Sequence, residues 1–332
     1  MPVANPLISQ TEEAIRFMAE HGVWCGTLDC VEEVKKIHSV LGDEASKCRI
    51  VLRLWVDDSH SLIPLGSKFG CRLDELDAIF SALKECNMNA VGVAFHVGSG
   101  NDSESAYDKA ISNAKVVFDK AKEYGFVMNL LDLGGGWAGF LGKNELNNPI
   151  LDDAATVINN ALEKYGFNEV KGLKIIAEPG RYFNERTISV GCTVTGVTKR
   201  NGRFIYRLNE GVKGVFKDKY LSEMPFETVP LKNDNTDLEK TYPSSLLGSS
   251  AFKDDTIVAD IQLPEMKVGD HILFTRMGAY TVSLSSLPQR SGEKQVYFIR
   301  KSSLSHSRLC WIHVFSLPHV ARGSTLEMGT VP

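Results

Sequence analysis

The sequence has no long apolar run, no charged and then apolar leader, and no excess of basic residues. A membrane-spanning helix needs about 18 to 20 consecutive apolar residues, and a secretory leader needs a charged start before its apolar segment, so we expect neither membrane insertion nor export. The formal net charge of −4 gives no positive field for a phosphate backbone. We therefore expect no nucleic-acid partner, and an acidic protein that handles a small molecule fits the composition better.

Cysteine is sparse and scattered along the chain. The seven cysteines are odd in number and never form a Cys-x-x-Cys pair, whereas disulfide frameworks and zinc sites need paired, regularly spaced cysteines. We expect reduced thiols, no metal site and a cytoplasmic location.

The first half of the chain alternates short apolar runs with helical segments that end at glycine, which is typical of βα units around a parallel sheet. Runs that are apolar on both faces indicate strands covered by helices on each side. The predicted strands are residues 24–28, 50–56, 90–95, 127–133 and 173–177.

Helix boundaries are marked by acidic or capping residues at the start and by glycine at the end. We expect Asp29 to cap the second helix and Asp102 or Ser103 to cap the third. The four predicted helices end at or just before Gly22, Gly42, Gly125 and Gly166.

From about residue 187 the pattern changes to strands separated by turn-rich loops, without a long amphipathic helix, which predicts an all-β domain. The polar stretch 231–242 is predicted to be a loop, and the last 30 or so residues show no periodicity that assigns an element. We therefore divide the chain into domains 1–186 and 187–301 and a divergent tail, 302–332. The clearest predicted strands of the second domain are residues 188–197, 204–208, 256–259 and 271–274.

Three loop motifs directly follow predicted strands of the first domain. His96 lies in a Phe-His-Val-Gly-Ser-Gly string, a run of three glycines occupies 134–136, and Glu178 begins a Glu-Pro-Gly-Arg string that ends at Arg181. The carboxyl ends of parallel strands in a βα barrel meet at one rim, where ligands bind. We therefore expect the three motifs to line one pocket.

These residue types suit an anionic aromatic ligand. Glycines let backbone N–H groups approach a phosphate, and Arg181 offers a permanently charged, bidentate partner. Glu178 can keep a pyridine nitrogen protonated, and His96 can stack on the ring. Each signal also has a plain structural interpretation: a tight turn, a structural histidine, or a salt bridge between Glu178 and Arg181. Their joint placement at one rim favours the binding site.

At these motifs the sequence resembles the eukaryotic ornithine decarboxylase family, the fold-type III decarboxylases that include the antizyme inhibitors. The resemblance covers roughly residues 4 to 300. It implies an α/β plus all-β fold, in which a βα barrel that binds pyridoxal 5′-phosphate (PLP) precedes a β-sandwich or barrel domain. It also implies a head-to-tail homodimer and conversion of ornithine to putrescine in polyamine biosynthesis. The matching strings are residues 4–6, 95–100, 131–136, 176–182, 263–266 and 278–281.

The resemblance also assigns cofactor roles to individual residues. It places His96 against the ring, Glu178 at the pyridine nitrogen and Arg53 near the cofactor. The residues that it assigns to the phosphate, or beside it, are Ser99, Gly135, Gly136, Gly180, Arg181 and Tyr280.

The chain departs from the family pattern at its catalytic positions. The family's Schiff-base lysine lies upstream of the matched region, and the first lysine here is Lys35. Ala251 and Phe252 stand where the family has a reactive cysteine and an aspartate, and Leu221-Ser222 replaces a Tyr-Asp pair. We expect about six of the eight barrel strands, loss of the family's homodimer, no covalent attachment of PLP, and no catalytic residue retained.

Three functions stay open at this point. The first is a weak or inactive member of the ornithine decarboxylase family in putrescine biosynthesis. The second is an antizyme-inhibitor-like regulator that binds antizyme through residues 5–34, although this stretch carries Glu12, Glu13 and Glu20 where the family is rich in lysine. The third is a decarboxylase of an amino acid with an uncharged side chain, represented by an incomplete gene model.

Overall fold

The protein is described by a computed structural model that covers residues 9–101, 105–137, 151–222, 226–231, 238–248 and 250–285, and the backbone of strands at 4–5, 294–299 and 310–315. The chain divides into two compact units, Met1–Tyr182 and Phe183–Pro332. The side chains of residues 62, 151–153, 221 and 222 lie outside the described part.

A six-stranded parallel sheet forms the centre of the first unit, as the sequence predicts. The strand order is β1-β2-β3-β5-β7-β8, and every neighbouring pair is parallel. Two further short strands, β4 and β6, form a separate antiparallel ribbon. The strands are β1 (Ala4–Asn5), β2 (Cys25–Leu28), β3 (Arg49–Arg53), β4 (Ser61–Ile63), β5 (Asn89–Ala94), β6 (Ser99–Asn101), β7 (Leu130–Asp132) and β8 (Lys174–Ile176).

The helices of this unit alternate with its strands. The four predicted helices correspond to α1, α2, α4 and α5, whereas α3 escaped the sequence analysis although Leu76, Ile79, Phe80 and Leu83 give it a buried face with helical spacing. The helices are α1 (Glu12–Glu20), α2 (Val31–Leu41), α3 (Leu76–Glu85), α4 (Ala106–Glu123), α5 (Leu151–Lys164) and α6 (Gly180–Asn184).

The predicted cap at Asp29 is wrong. The N-cap of α2 is Cys30, without a side-chain cap, and Asp29 Oδ2 instead accepts a hydrogen bond from the backbone N–H of Gly70 at 2.8 Å. The carboxylate of Asp29 therefore accepts from a backbone N–H that is distant in sequence, and not from the first turn of α2. Thr11 does cap α1 through the N–H of Ala14 at 3.2 Å, and residues 102 and 103 lie outside the described part of the chain.

The core of the first unit lies between the sheet and the helices. Leu28, Leu52, Phe80, Phe95 and Leu131 are fully buried there, and burial of each large apolar side chain contributes about 1.5 to 3 kcal/mol. This packing fixes the strand ends that carry the candidate site.

A mixed sheet forms the second unit. Its main path runs β11-β14-β9-β10-β12-β13, and off this path β16 pairs with β9 while β15 pairs with β16. The four predicted strands are found, and β16 lies in the tail where the sequence assigned no element; it pairs with β15 and β9. The strands are β9 (Ile188–Arg200), β10 (Arg203–Leu208), β11 (Thr228–Pro230), β12 (Thr241–Leu247), β13 (Thr256–Pro264), β14 (His271–Phe274), β15 (Lys294–Ile299) and β16 (Cys310–Phe315), with one short helix, α7 (Lys219–Ser222).

The core of this unit is organised around Tyr206, which is fully buried. Its hydroxyl donates to the carbonyl of Pro264 and accepts from the N–H of Met266, both at 3.1 Å, so its polar atom is satisfied inside the core. Within the described residues of either unit, no helix is long and apolar enough to cross a bilayer.

Candidate functional site

Four neighbouring strands of the first unit end at one edge of the parallel sheet, and a candidate residue lies at or just after the end of each strand. Arg53 is the last residue of β3, and His96 follows β5. Gly134 follows β7, and Glu178 follows β8. These strands pair in the order β3, β5, β7 and β8, so the structure brings the three predicted motifs and Arg53 together.

The three glycines that follow β7 are packed too tightly for any side chain. A Cβ on Gly134, where φ is +66°, would lie 1.9 Å from the carbonyl oxygen of Phe95. A Cβ on Gly136, where φ is +89°, would lie 2.2 Å from the carbonyl oxygen of Gly98. Both the backbone conformation and the close approach therefore require glycine here.

The hydrogen bonds of this loop distinguish Gly134 from the two glycines after it. The Gly134 N–H donates to Asp132 Oδ1 at 2.9 Å, and its carbonyl accepts from the N–H of Glu178 and from Trp137 Nε1, both at 2.8 Å. The N–H groups of Gly135 and Gly136 donate to no other described residue. Two adjacent backbone donors are thus available to an anion.

His96 lies against this loop as a neutral imidazole. Its Nδ1 is 2.9 Å from the N–H of Gly98 and accepts that hydrogen bond, and a Cβ on Gly135 would lie 2.7 Å from its Nε2. Burial, followed by the positive charge of Arg53, lowers the pKa of His96 to about 4. An uncharged ring of fixed orientation suits stacking on an aromatic ligand.

Arg53 is half-buried and surrounded by carboxylates. Burial lowers its pKa, whereas the negative charges of Glu178, Asp132, Asp29 and Asp58 raise it. Because the guanidinium has an ordinary pKa far above neutrality, it stays charged and offsets part of this negative charge.

Asp132 is a member of this cluster to which the sequence analysis gave no role. It is buried, with 7% exposure, and burial, followed by the charge of Glu178, raises its pKa to about 6. The N–H of Gly134 and the charge of Arg53 act in the opposite direction. An acid that ends an otherwise apolar, buried strand was the signal that could have identified it.

The other predicted cofactor residues lie in different elements. Ser99 begins strand β6 of the antiparallel ribbon, and Gly180 and Arg181 begin α6. Tyr280 belongs to the second unit, where it has a positive φ of 56° and is 41% exposed. The assignment of these residues to the phosphate stays a prediction.

The loop that carries Ala251 and Phe252 is anchored by Asp255. This buried carboxylate accepts from the N–H of Val212 at 2.9 Å and from the N–H of Ser250 at 3.0 Å. Lys213 places its Nζ 3.9 Å from the centroid of the Phe252 ring, which is 38% exposed. A cation and an aromatic ring therefore face each other at the position where the resemblance expects an aspartate.

Comparison with known proteins gives this geometry a family. The profile described as "Pyridoxal-dependent decarboxylase, pyridoxal binding domain" matches residues 3–185, and the profile of the corresponding C-terminal sheet domain matches residues 126–278. Ornithine decarboxylase from Mus musculus is 34% identical over 310 residues, which cover 89% of this chain and 65% of that protein. The chain belongs to the ornithine decarboxylase family.

Two other family members show the range of the likeness. Antizyme inhibitor 2 from Xenopus laevis is 36% identical, over 85% of this chain and 62% of that protein. The crystal structure of the arginine decarboxylase of Paramecium bursaria Chlorella virus superposes with a TM-score of 0.76 at 30% identity, over 85% of this chain and 73% of that chain. The chain thus spans about two thirds of the length of the curated ornithine decarboxylase family members that it matches.

PLP is the cofactor of the ornithine decarboxylase family, and the residues of the site fit it. The N–H groups of Gly135 and Gly136 are available to a phosphate, and no Cβ obstructs them. His96 presents a neutral ring next to them. Glu178, whose charge acts on both Arg53 and Asp132, supplies a carboxylate at the next strand end.

Proposed function

We propose that this chain is an ornithine-decarboxylase-family protein of putrescine metabolism that binds PLP but decarboxylates ornithine weakly or not at all. The proposed binding of PLP rests on the glycine loop, where the N–H groups of Gly135 and Gly136 lie beside the neutral ring of His96. The observation that carries the weak turnover is the loop that contains Ala251 and Phe252.

In this proposal the phosphate is held by the N–H groups of Gly135 and Gly136, the hydroxyl of Ser99 and the guanidinium of Arg181. Phosphate groups bind well to adjacent backbone N–H groups and to arginine. Gly180 leaves room for the chain to approach the phosphate, and a role for Tyr280 stays a prediction of the resemblance.

The ring of the cofactor would lie against His96, with its pyridine nitrogen facing Glu178. When bound, PLP supplies an electron sink for the bond broken at the substrate's α-carbon. The carboxylate of Glu178 would hold a proton at the pyridine nitrogen, and Arg53 would balance the charge of Glu178 and Asp132. Neutral His96 would exclude water from one face of the ring.

Weak turnover of ornithine follows from the second unit. Ala251 has no thiol that could return a proton to carbon, and proton transfer by a positioned group is worth about 10²- to 10⁴-fold in rate. Phe252 has no carboxylate for the far ammonium of ornithine, and Lys213 places a positive charge 3.9 Å from its ring. A cationic head group would meet repulsion where the family provides attraction.

Release of labelled carbon dioxide from carboxyl-labelled ornithine tests this proposal. The purified chain is incubated with PLP, with mouse ornithine decarboxylase as the positive control. We expect turnover at least about 100-fold below the control, and turnover within about tenfold of the control would refute the claim. The variant carrying Ala251→Cys and Phe252→Asp tests whether these positions limit the rate, because it should gain activity if they do.

Cofactor binding is tested separately with pyridoxine 5′-phosphate, which has the phosphate but no aldehyde and so cannot react with surface lysines. We expect saturable binding in equilibrium dialysis. Gly136→Val is the matched variant, because a side chain there would meet the Gly98 carbonyl and obstruct the phosphate. Absence of saturable binding to the parent chain would refute the binding half of the proposal.

A regulator that binds antizyme is the second candidate, favoured by the 36% identity to Xenopus antizyme inhibitor 2. The expected contact stretch, residues 5–34, contains α1, whose first turn carries Glu12 and Glu13, and Glu20 is also exposed. An acidic helix would need a basic partner surface. Retention of purified antizyme on the immobilised chain, lost when these three glutamates are changed to lysine, would support this candidate, and no retention would eliminate it.

A decarboxylase of a different amino acid is the third candidate, and the contact between Lys213 and Phe252 favours it. An aromatic ring and an ammonium suit a substrate whose far end is uncharged or acidic. Carbon dioxide release from a panel of amino acids tests this candidate. Activity confined to ornithine or lysine would contradict it.

Association into the family's homodimer is also a proposal for this chain. Sedimentation equilibrium of the purified protein distinguishes a dimer from a monomer of 36.6 kDa.

A further inference from the structure

The loop that carries His96 and Ser99 is attached to a two-stranded ribbon outside the parallel sheet. Strands β4 and β6 pair in antiparallel fashion, with Ser61 opposite Asn101 and Ile63 opposite Ser99. Ser99 is therefore both a strand residue of the ribbon and the proposed phosphate ligand, so the position of the ribbon determines where its hydroxyl lies.

The ribbon is joined to the loop by one closed hydrogen-bond triangle. Asn101, which is 7% exposed, donates from Nδ2 to the carbonyl of Val97 at 2.7 Å and to Ser61 Oγ at 3.0 Å. Ser61 Oγ donates in turn to the same Val97 carbonyl at 2.7 Å. Two side chains 40 residues apart thus hold a single backbone carbonyl two residues before Ser99.

The segment between the triangle and Ser99 has little freedom. Gly98 has a positive φ of +81°, and a Cβ there would lie 2.2 Å from Ser61 Oγ. Its N–H is held by His96 Nδ1 at 2.9 Å. The Val97 carbonyl is thus fixed on one side of Ser99 and the ribbon pairing on the other.

We infer that Asn101 and Ser61 are positioning residues for the phosphate subsite. They hold the carbonyl of Val97 and thereby set the direction of the Ser99 side chain. This inference rests on the proposed binding of PLP. A hydrogen-bond donor binds a ligand more tightly when it is held in place before binding. Asn101 and Ser61 can therefore strengthen the contact of Ser99 without touching the ligand themselves.

The test compares two ligands that differ only in the phosphate, pyridoxine 5′-phosphate and pyridoxine, by equilibrium dialysis against the full chain. The variants are Ser61→Ala and Asn101→Leu, the second of which is close in volume, and each removes two of the three hydrogen bonds of the triangle. We expect both variants to bind pyridoxine 5′-phosphate about tenfold more weakly, as loss of two hydrogen bonds predicts, and to bind pyridoxine with less than about a twofold change.

Ser46→Ala is the matched control, because Ser46 Oγ also donates to a backbone carbonyl, that of Asp43, at 2.7 Å but lies in the short 3₁₀ helix Gly42–Lys47. It should change neither affinity. General loss of folding would weaken both ligands alike, so the ratio of the two affinities reports the phosphate subsite alone.

The outcomes separate this inference from the function on which it rests. If the parent chain binds no pyridoxine 5′-phosphate, the proposed function and this inference both fail. If the parent chain binds it and the variants leave the ratio unchanged, or lower both affinities equally, only the positioning role is overturned. Ser61→Ala leaves the hydrogen bond from Asn101 to the Val97 carbonyl in place and keeps the test valid if Asn101→Leu does not fold.

Discussion

Asp132 Oδ1 accepts a hydrogen bond from the backbone N–H of Gly134 at 2.9 Å. This contact joins the last residue of β7 to the first glycine of the loop, and it leaves the N–H groups of the next two glycines as the donors available to an anion. The acid that shapes the loop also belongs to the charge cluster around Arg53. Loop geometry and the electrostatics of the site are therefore coupled through one carboxyl group.

The first prediction concerns the protonation of Asp132, whose pKa is raised from 3.8 to about 6. An acid whose pKa is higher in the folded chain binds more protons when folded, so its stabilising contribution is complete below the unfolded pKa and is lost as the pH rises through the folded pKa. Asp132→Asn keeps an acceptor for Gly134 but cannot ionise. Relative to the parent, the variant should gain about 2 kcal/mol in unfolding free energy between pH 4.5 and 7.5.

Urea unfolding of both proteins at several pH values measures this difference. Titrating groups that do not interact with Asp132 cancel in the comparison. A stability difference that does not vary with pH would show that Asp132 has an ordinary pKa.

The second prediction concerns the required glycine at 134. Gly134→Ala should destabilise the chain by about 3 to 5 kcal/mol, because a positive φ and a backbone clash act together. Gly172 is the matched control: its φ is +70° but a Cβ there would meet nothing within 4 Å. Gly172→Ala should cost only about 1 kcal/mol. Equal losses in chemical denaturation would mean that the close approach to Phe95 has no energetic effect.

The third prediction concerns Arg53. Arg53→Met leaves Glu178, Asp132, Asp29 and Asp58 without their shared cation, and removal of one partner of a poorly solvated charge cluster costs about 3 kcal/mol. The loss should shrink at pH 5, where Asp132, whose pKa is about 6, is protonated. The control is Lys115→Met, which removes an ion pair with Asp119 on the surface of α4 and should cost less than about 1 kcal/mol. Denaturation curves at pH 5 and pH 8 decide the matter, and a loss that grows at low pH would contradict the assignment.

The fourth prediction concerns the anchor of the loop that carries Phe252. Asp255 is 5% exposed and accepts hydrogen bonds from Val212 and Ser250, so Asp255→Ala should cost about 3 kcal/mol by leaving buried donors without acceptors. Asp260, whose side chain is 80% exposed in its pair with Arg203, is the control and should cost less than about 1 kcal/mol when changed to alanine. Similar losses from both changes would show that Asp255 does not anchor the loop.

Local sequence signals predicted a large part of the fold. Apolar runs located five strands of the first unit, glycine exits located four helices, and the three rim motifs were placed at the ends of neighbouring strands. These signals depend on residues within a few positions of one another, which is why they can be identified without the tertiary structure. The match to family motifs gave the same site, and both family profiles confirm the family.

Local signals were wrong or silent where a distant residue decides the outcome. Asp29 has the chemistry of a helix cap, yet Gly70 takes its carboxylate. The tail lacks periodicity, yet pairing with β9 and β15 makes a strand of residues 310–315.

The sequence by itself determined that the first unit is built from βα repeats and that three glycine-containing or charged motifs follow its strands. The placement of Ala251 and Phe252 at the positions of reactive family residues stays a prediction. Only the tertiary structure decided which carboxylates surround Arg53, that Asp132 holds Gly134, and that Ser61 and Asn101 share the carbonyl of Val97. Strand register and loop closure bring these groups together across tens of residues, and no pattern within a short window of sequence encodes such a distance.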